Sequence, residues 1–121
     1  MQSGPSADTG RLRMQAGEDT LENVVCEAIV QIRNAAGLHM RPAMQFVDIA
    51  NQFDSDIMVS NDETVVDGKS IMQMSMLAAT CGTKLRIKAE GQDAERALEA
   101  LRQLVEETHF HEPTPEEEKK H

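Results

Sequence analysis

The sequence predicts an α+β domain, an antiparallel sheet carrying helices on one face. Two observations lead there. The apolar period switches between two and three-to-four residues along the chain, in the order β-α-β-β-α-β-α. That order lacks the strand–helix–strand alternation of a parallel sheet, and no internal repeat is visible. With 121 residues, the chain has room for one core but not comfortably for two.

Residues 1–22 are rich in Ser, Gly, Asp, Thr and Gln without a sustained apolar period, and are expected to form a flexible N-terminal extension. From Val24 to Arg33 the pattern changes: Cys26, Ala28, Val30 and Ile32 alternate with Glu27, Gln31 and Arg33, a strand. Asn34 to Gly37 supplies a turn. Ala43, Phe46, Val47, Ala50 and Phe53 then recur at helical spacing, with Pro42 tolerated because it lies in the first turn. Ile57 and Val59 mark a second short strand, Asn61 to Glu63 a turn, and Thr64 to Asp67 a third strand.

Ser70 opens a helix-compatible run from Ile71 to Ala79, ended by Cys81-Gly82. A fourth strand from Lys84 to Ala89 alternates Leu85, Ile87 and Ala89 with Arg86 and Lys88. Asp93 is expected to N-cap the longest helix, whose stripe is Ala94, Ala97, Leu98, Leu101, Leu104 and Val105. The domain is therefore placed at 23–109. Residues 110–121, with two prolines and a run of glutamates, are expected to be an acidic disordered tail.

Composition narrows the function. A net charge of −9 argues against nucleic acid, which needs a basic face, and equally against adsorption to an anionic membrane. Only 2% of residues are aromatic, so base-stacking surfaces are scarce. No apolar run is long enough to span a bilayer. Cys26 and Cys81 lack CxxC spacing and no signal-peptide-like segment precedes them, so reduced thiols in a cytoplasmic protein are expected. His109, His111 and His121 sit in the tail without a nearby cysteine and are read as solvated. Neither metal nor cofactor is expected.

Gly37-Leu38-His39-Met40-Arg41-Pro42-Ala43 carries the chemistry. It places an imidazole and a guanidinium two residues apart at a helix start, where unpartnered N–H groups and the macrodipole favour an anion. A ring nitrogen of His39 is able to act as nucleophile or base near neutral pH. Alternatively, His39 simply caps the helix and Arg41 is a solvated surface charge. Gly68-Lys69-Ser70 is not a phosphate-binding P-loop, because the earlier glycine would fall at Glu63. Ser70 reads as an N-cap, a position where phosphorylation is electrostatically compatible with the helix. Met40, Met44, Ile71, Met72 and Met74 gather around the two helix starts; Met40 and Met44 flank the polar side and suggest a docking patch.

Taken in order, Gly-Leu-His-x-Arg-Pro-Ala, Gly-Lys-Ser-Ile-Met before a Met/Leu/Ala helix, and Glu-Gly-x-Asp before an Ala/Leu helix resemble the histidine-containing phosphocarrier family, HPr, over residues 24–109. The resemblance implies an open-faced β-sandwich with strand order 1-4-2-3 and three helices on one side. It implies a role in the phosphoenolpyruvate-dependent sugar phosphotransferase system, as a monomeric stoichiometric carrier rather than an enzyme. His39 would be phosphorylated on Nδ1 by enzyme I, with Arg41 as charge partner, and the group would pass to a sugar-specific IIA domain. Ser70 matches the site of an ATP-dependent HPr kinase/phosphorylase, and Ile71 and Met72 the contact surface. Met40 stands where small residues are commoner. Retention of His39 argues against the catabolite-repression relatives that have lost it. Two alternatives stay open: a binding module controlled through Ser70, and a nitrogen-related phosphorelay not coupled to sugar.

Overall fold

A computed structural model describes residues 13–14 and 24–119. Its strands are β1 (Arg13–Met14), β2 (Val24–Gln31), β3 (Asp56–Ser60), β4 (Val65–Asp67) and β5 (Lys84–Glu90). They form one antiparallel sheet ordered β1-β2-β5-β3-β4. Without the two-residue β1, this is the expected 1-4-2-3 order. The helices are α1 (Met40–Ala50), α2 (Ile71–Met74), α3 (Ala94–Arg102) and α4 (Pro115–Lys119).

Strand periodicity decides which face is buried. Cys26 pairs with Ala89, Val30 with Leu85, Ile57 with Ala89 and Val59 with Ile87, and all of these point inward. Glu27, Ile29, Met58, Arg86 and Lys88 occupy the exposed face. Over the apolar face lie Ala43, Phe46 and Ala50 of α1 and Ala94, Ala97 and Leu101 of α3, every one of them buried. Small alanines on α3 let its backbone sit close to the sheet. Both cysteines are free; burial, and secondarily Glu95, pushes the thiol of Cys26 up, so it remains protonated and packs as a small apolar group.

Four sequence expectations change. Within the extension, Arg13 and Met14 pair with Val25 and Val24, because the outer edge of β2 offers unpaired backbone groups; the rest of 1–22 lies outside the described residues. The helix expected through Ala79 is α-helical only to Met74. It tightens into a 3-10 turn over Ser75–Leu77, where Ser75 Oγ donates to the Met72 carbonyl, and Ala78 then stops it in the left-handed region. Asp93 precedes α3, but its carboxylate makes no cap. It accepts instead from the N–H groups of Asp54 and Ser55 and from the buried Ser55 hydroxyl, and these bonds hold it below the usual aspartate range.

The fourth change concerns the chain after 109. Beyond α3 the helix widens into a π turn, Gln103–Glu107, and residues His109–His111 form a left-handed turn that buries Phe110 completely in the core. Left-handed backbone costs a non-glycine residue roughly 1–2 kcal/mol. Burial of the Phe110 ring and the bond from Gln45 Nε2 to the Phe110 carbonyl (3.1 Å) hold the turn in place. Further on, Ala35 N–H donates to the Pro113 carbonyl (2.9 Å). Thr114 and Glu117 then cap α4 reciprocally around Pro115 at its first position. The last residues, 120 and 121, lie outside the described residues.

Phe110→Ala is expected to destabilise the fold by about 3–5 kcal/mol, the usual loss for a fully buried aromatic ring. The urea unfolding midpoint measures it; a change below about 1 kcal/mol would mean that the ring is not part of the cooperative core.

Candidate functional site

The site begins with the turn that delivers the chain from β2 to α1. Gly37 has φ +78°, and a Cβ there would meet the Ala79 carbonyl at 2.9 Å and Thr80 Cα at 3.0 Å, both backbone. Only glycine fits this approach. Leu38, buried, donates its N–H to the same Ala79 carbonyl (2.9 Å). The segment after α2 therefore pins the loop that ends in His39.

His39 is the N-cap residue of α1. Its backbone is extended and its carbonyl accepts from Ala43 N–H at 3.0 Å, yet its side chain makes no cap bond. The helix starts with Met40 and Arg41, whose N–H groups come too early for an intrahelical acceptor, and Pro42, which has none to offer. His39 is thus a cap by backbone only, with its imidazole free for another partner.

That partner is Glu112. His39 Nε2 lies 3.0 Å from Glu112 Oε2 and 3.1 Å from Oε1. Asn34, fully buried, donates Nδ2–H to Glu112 Oε1 (2.9 Å) and to the Gly37 carbonyl (2.8 Å). Both partners are acceptors, which fixes the orientation of the amide; its Oδ1 is left buried without a partner. Arg41 Nη1 stands 3.8 Å from Glu112 Oε2. Burial opposes ionisation of Glu112, but hydrogen bonds from Asn34 and His39 and the nearby positive charges outweigh it and hold the carboxyl below the usual glutamate range. The side chains differ in access: 9% exposed for Glu112, 44% for His39 and 69% for Arg41. The acid is thus seated within the protein, and the two basic groups face solvent.

Ser70 lies elsewhere. Its Oγ accepts from Gln73 N–H at 3.2 Å and caps α2. The loop before it is tied to the C-terminal end of α1, through Asn51 Nδ2 to the Lys69 carbonyl (3.2 Å) and Lys69 Nζ to the Phe53 carbonyl (2.7 Å). His39 begins the same helix, whose 11 residues span roughly 16 Å at 1.5 Å per residue. Of the methionine set, Met40, Met44 and Met72 are exposed, joined by Met76, while Met74 is core and Ile71 is half-buried against it.

The structure thus brings His39 and Arg41 together and leaves Ser70 at the other end of α1. Sequence reasoning missed Asn34, Phe110 and Glu112. A lone aromatic in a polar tail was the available signal for Phe110; Glu112, one glutamate among several, carried none. Among the described residues no group of three or more His, Cys, Asp or Glu side chains could hold a metal ion, and no helix is long and apolar enough to cross a membrane.

Comparison with known proteins places relatives beside this geometry. The family described as the PTS HPr component phosphorylation site matches residues 26–107. The chain is similar to the phosphocarrier protein HPr of Treponema pallidum, 43% identical over 77 residues covering 64% of this chain and 88% of that protein. It is similar also to the HPr-like protein Crh of Bacillus subtilis, 42% identical over 78 residues, with 64% and 92% covered. Among solved structures, HPr from Thermoanaerobacter tengcongensis superposes with a TM-score of 0.68 at 42% identity, covering 71% of this chain and 96% of that one.

A pH dependence follows from Glu112. Its folded value is lowered, so its contribution to stability is fully present above the ordinary glutamate value of 4.5 and is lost as pH falls through the lowered folded value. Glu112→Gln, which does not titrate, is expected to give a shallower loss of stability than wild type below about pH 4.5. Unfolding midpoints measured across the acid range check this; parallel acid limbs would contradict it.

Proposed function

This chain belongs to the HPr component family of the phosphotransferase system, and we propose that His39 is the residue on which it carries a phosphoryl group. Enzyme I supplies the group and a sugar-specific IIA domain receives it. The observation supporting this most directly is the position of His39, an N-cap whose half-exposed imidazole is released from capping. A phosphoryl group on the ring would meet the free N–H groups of Met40 and Arg41 and the mostly exposed Arg41 guanidinium.

Magnitudes favour a carrier over a trap. Helix-end stabilisation of an anion is about 0.3–1 kcal/mol, rising to about 2 in favourable sites, and an exposed arginine adds at most about 1. Such a site holds the group and still releases it. The chain is changed chemically at each half-reaction, so it acts stoichiometrically. The exposed side chains of Met40, Met44 and Met72 offer adaptable apolar contact area to partners, with half-buried Ile71 contributing at the margin.

A regulatory role for Ser70 has support of its own. Its hydroxyl caps α2 immediately before exposed Met72, and phosphorylation by an HPr kinase/phosphorylase would add roughly −1.5 to −2 charges there, beside a surface used for docking.

Incubation with enzyme I and phosphoenolpyruvate is expected to give one acid-labile phosphate that is absent from His39→Ala; an acid-stable label surviving that substitution would sink the assignment. Arg41→Ala should keep the label but acquire it about fivefold more slowly, equivalent to about 1 kcal/mol of barrier. For Ser70, ATP-dependent labelling by the kinase should disappear in Ser70→Ala, and Ser70→Asp should slow phosphorylation of His39 by enzyme I. An unchanged rate in Ser70→Asp would count against control by charge.

A further inference from the structure

We infer that Glu112 is a positioning residue for His39: its carboxylate holds the imidazole in the form protonated at Nε2, so that Nδ1 presents a bare lone pair to phosphorus. The inference rests on the reading of His39 as phosphoryl acceptor.

An ionised carboxylate only accepts hydrogen bonds, so with Nε2 at 3.0 and 3.1 Å from its two oxygens the ring must be the donor. A neutral imidazole has one N–H, and placing it on Nε2 leaves Nδ1 unprotonated. Among the described residues Nδ1 has no hydrogen-bond partner. Without Glu112 the proton would be shared between the two nitrogens, and the fraction protonated on Nδ1 would be unreactive there.

Glu112 is held from both sides along the chain. Two residues earlier, Phe110 is buried and its carbonyl accepts from Gln45; one residue later, the Pro113 carbonyl accepts from Ala35 N–H. Asn34, wholly buried, meets the carboxylate from β2's end of the turn. The acid is therefore preorganised, as a group that orients another must be.

In the transfer, the Nδ1 lone pair attacks phosphorus and the N–P bond forms. The bond from phosphorus to the donor's leaving atom breaks, and that atom keeps the electron pair. No proton has to leave Nδ1. Nε2 keeps its proton, so the ring becomes cationic, and the Glu112 carboxylate compensates that charge from the opposite edge of the ring. Onward transfer returns the N–P pair to Nδ1 and the ring to its neutral form.

The test uses full-length protein with 15N-labelled histidine. In wild type, Nε2 of neutral His39 should resonate as a protonated nitrogen with a slowly exchanging proton, and Nδ1 as an unprotonated one. In Glu112→Ala the Nε2 proton should exchange rapidly and the two nitrogens should move toward each other, with transfer from phosphorylated enzyme I slowed about tenfold, about 1.4 kcal/mol. Glu112→Gln, near-isosteric and still an acceptor, should keep the ring signature and fall between the two in rate. A Glu112→Ala protein with wild-type ring signals, or one that accepts phosphate as fast as wild type or faster, overturns the inference. Wild type that takes no phosphate at His39 overturns instead the acceptor reading on which it stands.

Discussion

The molecule depends on one buried sheet face. Cys26, Val30, Ile57, Val59, Leu85, Ile87 and Ala89 supply it from three adjacent strands, and α1 and α3 close over it with Ala43, Phe46, Ala50, Ala94, Ala97 and Leu101. Aliphatic burial of about 1.5–3 kcal/mol per large side chain fixes the register of each strand, because a slip by one residue would turn every inward side chain to solvent. Once Phe46 is docked, the axis of α1 is set, and with it the place where that helix starts.

That start is where the candidate site gathers its polar side chains. A close-packed glycine turn against Ala79 and Thr80 brings the chain to His39 without slack, and the next two residues leave N–H groups facing outward. The positive character of this end is opposed by a seated carboxylate, Glu112, which Asn34 and His39 hold by hydrogen bonds. The site therefore combines a seated acid with exposed basic side chains, a division that suits the proposed uptake and release of a phosphoryl group. The apolar surface contributed by Met40, Met44 and Met72 lies on the exposed sides of α1 and α2, away from the core.

The C-terminal segment joins core and site. Phe110 belongs to the hydrophobic cluster, and two residues later Glu112 belongs to the histidine site. A segment that reads as polar tail is thereby anchored by a buried ring together with hydrogen bonds from Gln45 and Ala35, and the strained left-handed turn at 109–111 is the local cost of inserting it. It thereby places a core residue and a residue of the His39 site two positions apart in the chain.

Sequence by itself determined the order of elements from β2 to α3 and the inward-facing residues of β2, β3 and β5, and it singled out His39 and Arg41 as candidates. These depend on short-range periodicity and on the special backbone chemistry of Gly37 and Pro42, all contained within a few residues. Asp93 marks the limit of that local logic: it stands where an N-cap should, but tertiary packing offered its carboxylate the buried Ser55 hydroxyl and two loop N–H groups instead. Ala78 is similar, since neighbouring residues favour a helix and the approach of the Leu38 segment requires its end. Only the tertiary structure decided that β1 adds to the sheet edge, that Ser70 and His39 sit at opposite ends of α1, and that Glu112 meets His39. That last contact joins residues 73 apart in the chain, a separation at which no spacing rule operates and only the packing of Phe110 and Asn34 determines the distance.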